Sequence, residues 1–214
     1  MSAFPVDAIL PDLAASLAAN RTAVLQAPPG TGKTTRVAPF LLDAAWLKGR
    51  KILLLEPRRL AARTAAAFMA RQRSERVGET IGYHIRLERR AGPRTRIELL
   101  TEGLLTQRLL HDPELSDTGL VIFDEFHERS LAVDTALALA LDTRRALRPD
   151  LRLVVMSATL RPEAIAAHLG DADIHTADTR LYPVETRLLD RLSTASIPQQ
   201  AAGAVLRALR EETG

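Results

Sequence analysis

Cysteine is absent from this chain of 214 residues, which excludes a disulfide scaffold and any zinc or iron–sulfur site built on cysteine. Aromatic residues make up only 4% of it, too few for a base-stacking module of the RRM or OB type, which depends on exposed rings. No uncharged apolar run approaches the length of a membrane span, and Asp7 and Asp12 fall where a signal peptide is basic and then apolar. These absences predict a soluble cytoplasmic protein without a membrane partner.

Lysine is also scarce, occurring only at Lys33, Lys48 and Lys51, so the basic charge is almost all arginine. The net charge of +3 and the isoelectric point of about 9.8 are compatible with a polyanionic partner. A genome-wide bias towards alanine and arginine would give the same balance, so charge alone does not establish nucleic-acid binding. With 46% apolar residues, the chain can bury the core of one domain, or of one domain and part of another.

Short apolar runs alternate with longer amphipathic ones along the chain. The apolar runs predict strands at 22–26, 51–56, 96–101, 120–124 and 152–157. The amphipathic runs predict helices at 34–47, 59–72, 103–110, 131–147 and 162–169. Apolar strands separated by helices predict a doubly wound α/β domain, with a mostly parallel sheet and helices on both faces. Beyond it, "LYPVETRLLD" (181–190) predicts one more strand and "IPQQAAGAVLRALREETG" (197–214) one helix.

The stretch "VLQAPPGTGKTT" (24–35) has the composition of a phosphate-binding loop between a strand and a helix, although Ala27 stands where the usual pattern has its first glycine. Backbone N–H groups of such a loop wrap phosphates, a lysine reaches the terminal phosphates, and the next hydroxyl holds Mg²⁺. The predicted phosphate-binding residues are Gly30, Thr31, Gly32, Lys33, Thr34 and Thr35. A chance turn and a dinucleotide fingerprint are the alternatives; the flanking strand and helix disfavour the first, and the absence of a third glycine disfavours the second.

The stretch "GLVIFDEFHERS" (119–130) supplies a partner acid for this loop. Four apolar residues bring Asp124 to the carboxyl end of a predicted strand, where ligands bind in such sheets. Asp124 is the predicted Mg²⁺ ligand together with Thr34, and Glu125 is predicted to orient or deprotonate an attacking water. An ordinary acidic loop is the alternative. His127 is a candidate for sensing the terminal phosphate or a neighbouring domain.

Further polar residues are expected at the same edge of the sheet. "MSATL" places Ser157 and Thr159 after another strand, and "EPRRLAA" places Arg58 and Arg59 at the opening of a helix, where guanidinium groups can hold a phosphate backbone. The remaining candidates are Thr101 and Gly103 in "TEG", and Arg86 in "GYHIRLE". Taken singly, each of these is as readily explained as a solvated surface group.

Taken together, these stretches resemble the first RecA-like lobe of superfamily 2 helicases of the DEAH/DExH-box group. "APPGTGKTT" resembles motif I, "EPRRLAA" motif Ia, "TEG" motif Ib, "DEFHER" motif II and "SAT" motif III. Within the group, "QAPPG", "GYHIRLE" and "FDEFHERSLAVDTALALALD" are most similar to a bacterial type of ATP-dependent RNA helicase. The resemblance spans about 4–185. It implies a RecA-like P-loop NTPase domain at 1–181, followed at 182–214 by a crossover and a truncated second RecA-like domain.

The resemblance implies ATP, or another NTP, with Mg²⁺ as cofactors, and movement along single-stranded nucleic acid, usually RNA. Catalysis would rest on Lys33 and Glu125. Coupling of hydrolysis to lobe movement would fall to His127, Ser157 and Thr159, and contact with the strand to Arg58, Arg59, Arg86, Thr101 and Gly103. In eukaryotic relatives an arginine on the helix after motif Ia stacks on the base; Phe68 stands at that position here.

The family also requires a second RecA-like lobe, which carries the arginine that stabilises the transferring phosphate. Such an arginine contributes ~10³–10⁵ in kcat, so the chain on its own is expected to be nearly inactive. Two alternatives therefore stand beside the helicase lobe: a nucleotide-binding module without turnover, and a P-loop ATPase that acts on protein partners. The second acid of the Asp124–Glu125 pair favours hydrolysis, because a binder needs only the metal ligand. RNA and DNA are not distinguished by the spacing of any residues.

Overall fold

The computed structural model describes residues 4–159, 161–170, 172–177, 186 and 195–211. The chain divides into two compact units, Met1–Thr179 and Arg180–Gly214. The first contains the sheet and its covering helices. The division predicted from the sequence, 1–181 and 182–214, stays a prediction.

An eight-stranded sheet forms the centre of the first unit, with the strand order β4-β3-β5-β2-β6-β7-β1-β8. The strands are β1 (Ala23–Gln26), β2 (Lys51–Leu55), β3 (Ile81–Ile85), β4 (Glu88–Arg90), β5 (Ile97–Leu100), β6 (Thr118–Phe123), β7 (Arg152–Ser157) and β8 (Asp173–Thr176). All neighbouring pairs are parallel except β3 and β4, which form an antiparallel hairpin. The predicted mostly parallel, doubly wound α/β sheet is thereby confirmed.

Helices cover both faces of this sheet. They are α1 (Leu10–Ala18), α2 (Lys33–Leu41), α3 (Arg59–Gln72), α4 (Glu102–His111), α5 (Leu131–Ala146) and α6 (Pro162–His168). One buried cluster joins α1, α2 and α3 to one face, and a second joins α4, α5 and α6 to the other. Successive strand residues alternate between these clusters: Leu54 belongs to the first, and Leu53 and Leu55 to the second. Burial on both sides explains the continuous apolar strands.

The helix bounds follow local chemistry. Helix α3 has the predicted bounds, and α5 begins after Ser130, whose hydroxyl accepts the N–H of Val133 at 3.1 Å and so caps the helix. The predicted helix at 34–47 is shorter than expected, because α2 ends at Leu41, two residues after Pro39, and a 3-10 turn follows at Ala45–Leu47. Proline removes one hydrogen bond to the preceding turn and disfavours the helical conformation of the residue before it, so Pro39 weakens the last turn of α2.

Three strands and one helix were not predicted from the sequence: β3, β4, β8 and α1. Strand β3 contains Gly82, a residue that usually weakens a strand. Here glycine is required, because a Cβ on Gly82 would lie 2.4 Å from the carbonyl oxygen of Arg90 in the returning strand. The hairpin turns at Leu87, which has a φ of +69°. Strand β8 was missed because only four residues at the edge of the sheet form it.

In the second unit, the described residues form α7 (Ile197–Glu211), which confirms the predicted helix there. Arg207 and Glu211, one turn apart, form an ion pair at 2.8 Å in its last turns. The strand predicted at 181–190 lies outside the described residues, apart from Thr186. Among the helices that the structure describes, none is both long enough and apolar enough to span a membrane.

Candidate nucleotide site and nucleic-acid groove

The predicted phosphate loop connects β1 to α2 at the carboxyl edge of the sheet. Gly30 and Gly32 have φ values of +79° and +88°, a left-handed conformation that favours glycine. Gly32 is also packed closely, since an added Cβ would lie 2.8 Å from Cδ1 of Phe4. Helix α2 starts at the next residue, Lys33. The loop therefore delivers the N-terminus of a helix, with its positive dipole end, to the sheet edge.

Ala27 fits the position where the usual pattern has glycine. It keeps a negative φ and is fully buried, and its N–H donates to the carbonyl oxygen of Ser157 in β7 at 3.0 Å. Farther along the loop, the Thr31 hydroxyl donates to the carbonyl oxygen of Pro28 at 2.9 Å. The start of the loop is thus hydrogen-bonded to β7, and a second hydrogen bond closes the loop on itself. Alanine at position 27 introduces no backbone strain.

Two side-chain contacts join the loop to the acidic pair after β6. The ammonium of Lys33 lies 2.7 Å from Oε1 of Glu125, and the Thr34 hydroxyl donates to Oδ2 of Asp124. The Lys33 side chain is only 5% exposed, and the Glu125 side chain 23%. Residues more than eighty positions apart in the chain therefore meet within hydrogen-bonding distance. The end of the phosphate loop and the carboxylate pair are thereby joined at one point of the sheet edge.

Burial controls the charge of Asp124. The side chain lies at the end of β6, is almost fully buried, and has its pKa raised to about 6, mainly because burial disfavours the charged form. The Thr34 hydroxyl and the Lys33 ammonium act in the opposite direction. The Glu125 N–H also donates to Oδ1 of Asp124 at 2.8 Å. A cation that joined this site would favour the ionised carboxylate.

The donor set of Thr34 and Asp124 fits Mg²⁺, which prefers hard oxygen ligands. Among the described residues, no group of three or more His, Asp or Glu side chains could hold a metal ion by itself.

His127 lies between the acidic pair and the segment after β7. Its Nδ1 is 3.4 Å from Oε2 of Glu125 and 3.5 Å from the amide nitrogen of Ala158. Glu125 itself has a φ of +48°, and the 3-10 turn Phe126–Glu128 follows at once. Of the other two predicted coupling residues, Ser157 is buried against the phosphate loop and Thr159 is exposed. The structure thus brings His127 and Ser157 to the nucleotide site.

Four of the residues predicted to contact nucleic acid surround one groove. It has a volume of about 440 Å³, and its lining includes Arg59, Arg86, Thr101 and Gly103. Arg59 begins α3, and Thr101 and Gly103 lie at the start of α4, so two helix N-termini open on it. Arg86 and the exposed tip residue Leu87 come from the β3–β4 hairpin. Guanidinium groups and free helix N–H groups are suited to a phosphate backbone.

Arg58, the remaining predicted nucleic-acid contact, is paired with another residue of this chain. It precedes α3, its side chain is 70% exposed, and its guanidinium donates to Oε1 of Glu128. Arg58 and Arg59 are therefore adjacent in sequence and differently engaged. Sequence spacing gave no sign of this pairing.

A buried carboxylate stands behind the groove. Glu98 in β5 is fully buried. Its Oε1 lies 2.5 Å from the guanidinium of Arg108 in α4 and 3.5 Å from that of Arg89 in β4. Neither contact has the geometry of a hydrogen bond. Through Glu98 the two arginines connect the hairpin and α4, and both of these elements line the groove. His84, on the hairpin wall, has its pKa lowered by burial. Glu98 was missed from the sequence because it lies within an otherwise apolar strand.

Another unpredicted acid, Glu56, follows β2 directly. It is buried, its Oε1 accepts the N–H of Arg58 at 3.2 Å, and burial raises its pKa to about 7, with a smaller contribution from the nearby Asp124. A carboxylate directly after an apolar strand was the signal that identified Asp124. The same signal was present at Glu56 in "EPRRLAA".

Beside the phosphate loop, on the opposite face of the sheet from α5, lies a cavity of about 360 Å³. It is lined by Thr35 and Arg36 of α2, by Phe4, and by Phe68 of α3, among others. The Arg36 guanidinium lies 5.7 Å from the centre of the Phe4 ring and is paired with Asp7 at 2.8 Å. Phe68, which stands where eukaryotic relatives have a base-stacking arginine, thus lines the same cavity as Thr35.

The phosphate loop, the acidic pair and the arginine groove share one edge of a RecA-like sheet. This chain belongs to the DEAD/DEAH box helicase family, whose sequence profile matches residues 9–167. The resemblance inferred from the motifs is thereby confirmed.

Individual relatives refine this assignment. Over its full length the chain is 45% identical to the ATP-dependent RNA helicase HrpB of Escherichia coli (strain K12) and spans 26% of that protein. Over 162 residues, 76% of the chain, it is 36% identical to the ATP-dependent RNA helicase HrpA of Borreliella burgdorferi, of which it covers 20%. The bacterial type suggested by "QAPPG" and "GYHIRLE" is the HrpB type, in agreement with these identities.

Solved structures agree on the fold. A crystal structure of Escherichia coli DEAH/RHA helicase HrpB matches 99% of this chain with a TM-score of 0.90 at 44% identity, and the match covers 27% of that chain. A crystal structure of E. coli DExH-box NTPase HrpB matches the whole chain with a TM-score of 0.83 at 45% identity, covering 26% of that chain. The chain thus spans about a quarter of the length of these relatives.

Proposed function

We propose that this chain is the ATP-binding lobe of an ATP-dependent RNA helicase. It would bind ATP with Mg²⁺ and, together with a second RecA-like lobe, hydrolyse it to move along single-stranded nucleic acid. The contacts of Lys33 with Glu125 and of Thr34 with Asp124 carry this proposal. They place a phosphate-binding cation, a metal-binding hydroxyl and two carboxylates at one point of the sheet edge.

The Lys33–Glu125 ion pair suggests how nucleotide binding would prepare the site. A terminal phosphate competes with the Glu125 carboxylate for the Lys33 ammonium, because the anionic oxygens of both groups accept charge-assisted hydrogen bonds. Once displaced, Glu125 is available to orient or deprotonate the attacking water. Bound through Thr34 and Asp124, Mg²⁺ would neutralise charge on the phosphate oxygens.

The cavity beside Thr35 offers a place for the nucleobase. Its aromatic lining, Phe4 and Phe68, can stack on any base, because every base has a π-face. Stacking of this kind would favour binding without strong selection among nucleotides. We therefore expect other NTPs to bind with affinities similar to that of ATP.

RNA is the proposed strand because the relatives HrpB and HrpA are named RNA helicases. Arg59 and Arg86 would hold its phosphates, and the N-terminus of α4 at Thr101 and Gly103 would add backbone N–H donors. Coupling of the strand to hydrolysis is proposed for His127, Ser157 and Thr159. The cytoplasmic location expected from the sequence remains part of this proposal.

A module that binds nucleotide without turnover is the second candidate for the chain in isolation. The observation that favours it is that the chain spans 26% of the length of HrpB, while the proposed reaction needs a second lobe. Hydrolysis by this chain alone is then expected to be slower by ~10³–10⁵, the contribution of an arginine finger. An ATPase that acts on proteins is disfavoured by the arginine-lined groove.

Titration of a fluorescent ATP analogue with Mg²⁺ tests the nucleotide part of the proposal. Lys33→Gln should weaken binding roughly 10- to 100-fold, the cost of losing hydrogen bonds to a charged group. Lys48→Gln is the matched control, since Lys48 is exposed outside the site, and it should bind like the wild type. Equal affinities for all three proteins would contradict a working phosphate loop.

A further inference from the structure

The ion pair between Arg58 and Glu128 connects the two candidate sites. Arg58 lies between Pro57 and Arg59, which both line the groove, and its guanidinium donates to Glu128. Glu128 belongs to the turn after the acidic pair, and its N–H donates to the carbonyl oxygen of Glu125 at 2.9 Å. Arg58 is therefore flanked by two groove-lining residues, and Glu128 lies in the turn that follows the candidate nucleotide site.

A second contact links the same segment to another element that lines the groove. The hydroxyl of Ser130, two residues after Glu128, donates to Oε2 of Glu102 at 2.7 Å. Glu102 lies in the first turn of α4 and lines the groove. The segment that follows the acidic pair thus contacts both helix N-termini that open on the groove.

The exposure of the pair allows an exchange of partners. The side chains of Arg58 and Glu128 are 70% and 29% exposed, so a strand phosphate can approach the guanidinium from solvent. Ion pairs at exposed positions are weak, since water and salt screen them. A strand phosphate, like a carboxylate, can accept two hydrogen bonds from one guanidinium, and it belongs to a polyanion.

We propose that Glu128 occupies the place of a nucleic-acid phosphate, holding Arg58 until a strand phosphate displaces it. This inference rests on the proposed function and deepens it, because it makes Glu128 a positioning residue that sets the affinity for the strand. When Arg58 turns to the strand, Glu128 is released on the turn that also carries Glu125. Strand binding then acts directly on the segment that holds the water-orienting carboxylate.

Competition with Glu128 lowers the affinity of the wild type for the strand, so removing the competitor should raise it. Glu128→Gln should bind a fluorescein-labelled oligouridylate about two- to fivefold more tightly in a low-salt anisotropy titration, the range that an exposed ion pair gives. Arg58→Gln should bind more weakly than the wild type. In the Arg58→Gln background, Glu128→Gln should give no further gain, because there is no guanidinium to release.

Glu128→Asp separates this exchange from a general charge effect. Aspartate keeps the negative charge and shortens the side chain by one methylene, so it should release Arg58 and tighten binding as glutamine does. Glu88→Gln is the control for charge removal near other arginines, since Glu88 faces Arg63 and Arg90. Its effect should be the same in the presence and absence of Arg58. Thermal unfolding checks that each variant is folded.

The outcomes distinguish the inference from the function on which it rests. If the wild type binds oligouridylate through Arg59 and Arg86, but Glu128→Gln and Glu128→Asp leave the affinity unchanged, the inference is wrong and the function stands. A gain from Glu128→Gln that persists without Arg58 would also overturn it. If the folded wild type binds neither oligouridylate nor a DNA strand, the nucleic-acid part of the proposed function fails together with the inference.

Discussion

The phosphate loop and the arginine groove lie at the same edge of one sheet but are built in different ways. The loop depends on side chains that are buried and already in contact: Lys33 is almost fully buried, and Asp124 is reached by the Thr34 hydroxyl. The groove depends on exposed arginines, Arg59 and Arg86, carried by separate elements. A small, highly charged ligand and a long, flexible polyanion would need these two kinds of site.

Buried side chains lose little conformational freedom on binding, so the loop would hold a triphosphate in one geometry, as phosphoryl transfer requires. Long exposed side chains instead tolerate a strand of variable conformation, and contacts to phosphates position a strand without reading its sequence. We therefore expect substitutions in the loop to have large local effects. Substitutions in the groove should have smaller effects that add together.

The largest effect is expected at Gly32. An alanine there must adopt a φ near +88° and place its Cβ 2.8 Å from Cδ1 of Phe4. The backbone strain alone should lower the free energy of unfolding by roughly 1–2 kcal/mol, and the displaced loop should no longer bind a fluorescent ATP analogue at concentrations that saturate the wild type. Thermal unfolding and titration measure the two effects.

Gly103→Ala is the matched change on the groove side. Nothing lies within 4 Å of a Cβ built on Gly103, and the residue is in a helix, where alanine is favoured over glycine. This variant should gain up to about 1 kcal/mol of stability. If both glycine substitutions cost the same stability, the contrast between a tightly packed loop and an open groove is wrong.

The groove arginines should make additive contributions to the binding of a nucleic-acid strand. Arg59→Gln and Arg86→Gln should each weaken oligouridylate binding, and each should reduce the slope of log K against log[salt] by about 0.7, the value for one phosphate contact of a single strand. Affinity for the ATP analogue should remain that of the wild type. Arg145→Gln, an exposed arginine on α5, is the control and should leave the slope unchanged.

A smaller effect is expected in the cavity beside Thr35. Phe68→Ala should weaken the ATP analogue about 2- to 10-fold, because stacked aromatic contacts contribute roughly 0.5–1.5 kcal/mol. The loss should be similar for purine and pyrimidine nucleotides. Phe40→Ala, which removes a half-exposed ring of α2 outside this cavity, should not change affinity. An equal loss in both variants would argue against base stacking at Phe68.

The smallest effect concerns pH and Glu56. Its pKa rises from 4.5 to about 7 in the fold, so between these values the folded state binds more protons than the unfolded state, and this group makes stability fall as pH rises. Glu56→Gln removes this cost and keeps an acceptor for the Arg58 N–H. The raised pKa sets an upper limit of about 3 kcal/mol for this gain, because one pKa unit corresponds to about 1.4 kcal/mol. A buried glutamine amide keeps part of the desolvation cost, so we expect a gain on the order of 1 kcal/mol, or about 2–4 °C in Tm, above pH 7. No gain is expected below about pH 4.5, and a gain independent of pH would contradict the assignment.

Local patterns predicted much of the fold. Strand β7 and helix α3 have the predicted bounds, because an apolar run and an amphipathic repeat each report directly on burial. The pattern failed at β3, where Gly82 and His84 interrupt the apolar run. There the returning β4 strand requires the glycine, a contact that local sequence does not encode.

Residue type and spacing are enough to indicate which chemistry is present: a glycine-rich loop ending in Lys33 and Thr34, and an Asp124–Glu125 pair at a strand end. These signals are local. Which residues meet depends on the folded chain, because the order of parallel strands sets the neighbours at the sheet edge. The tertiary structure paired Lys33 with Glu125, turned Arg58 to Glu128 while Arg59 lined the groove, and brought Phe68 beside Thr35.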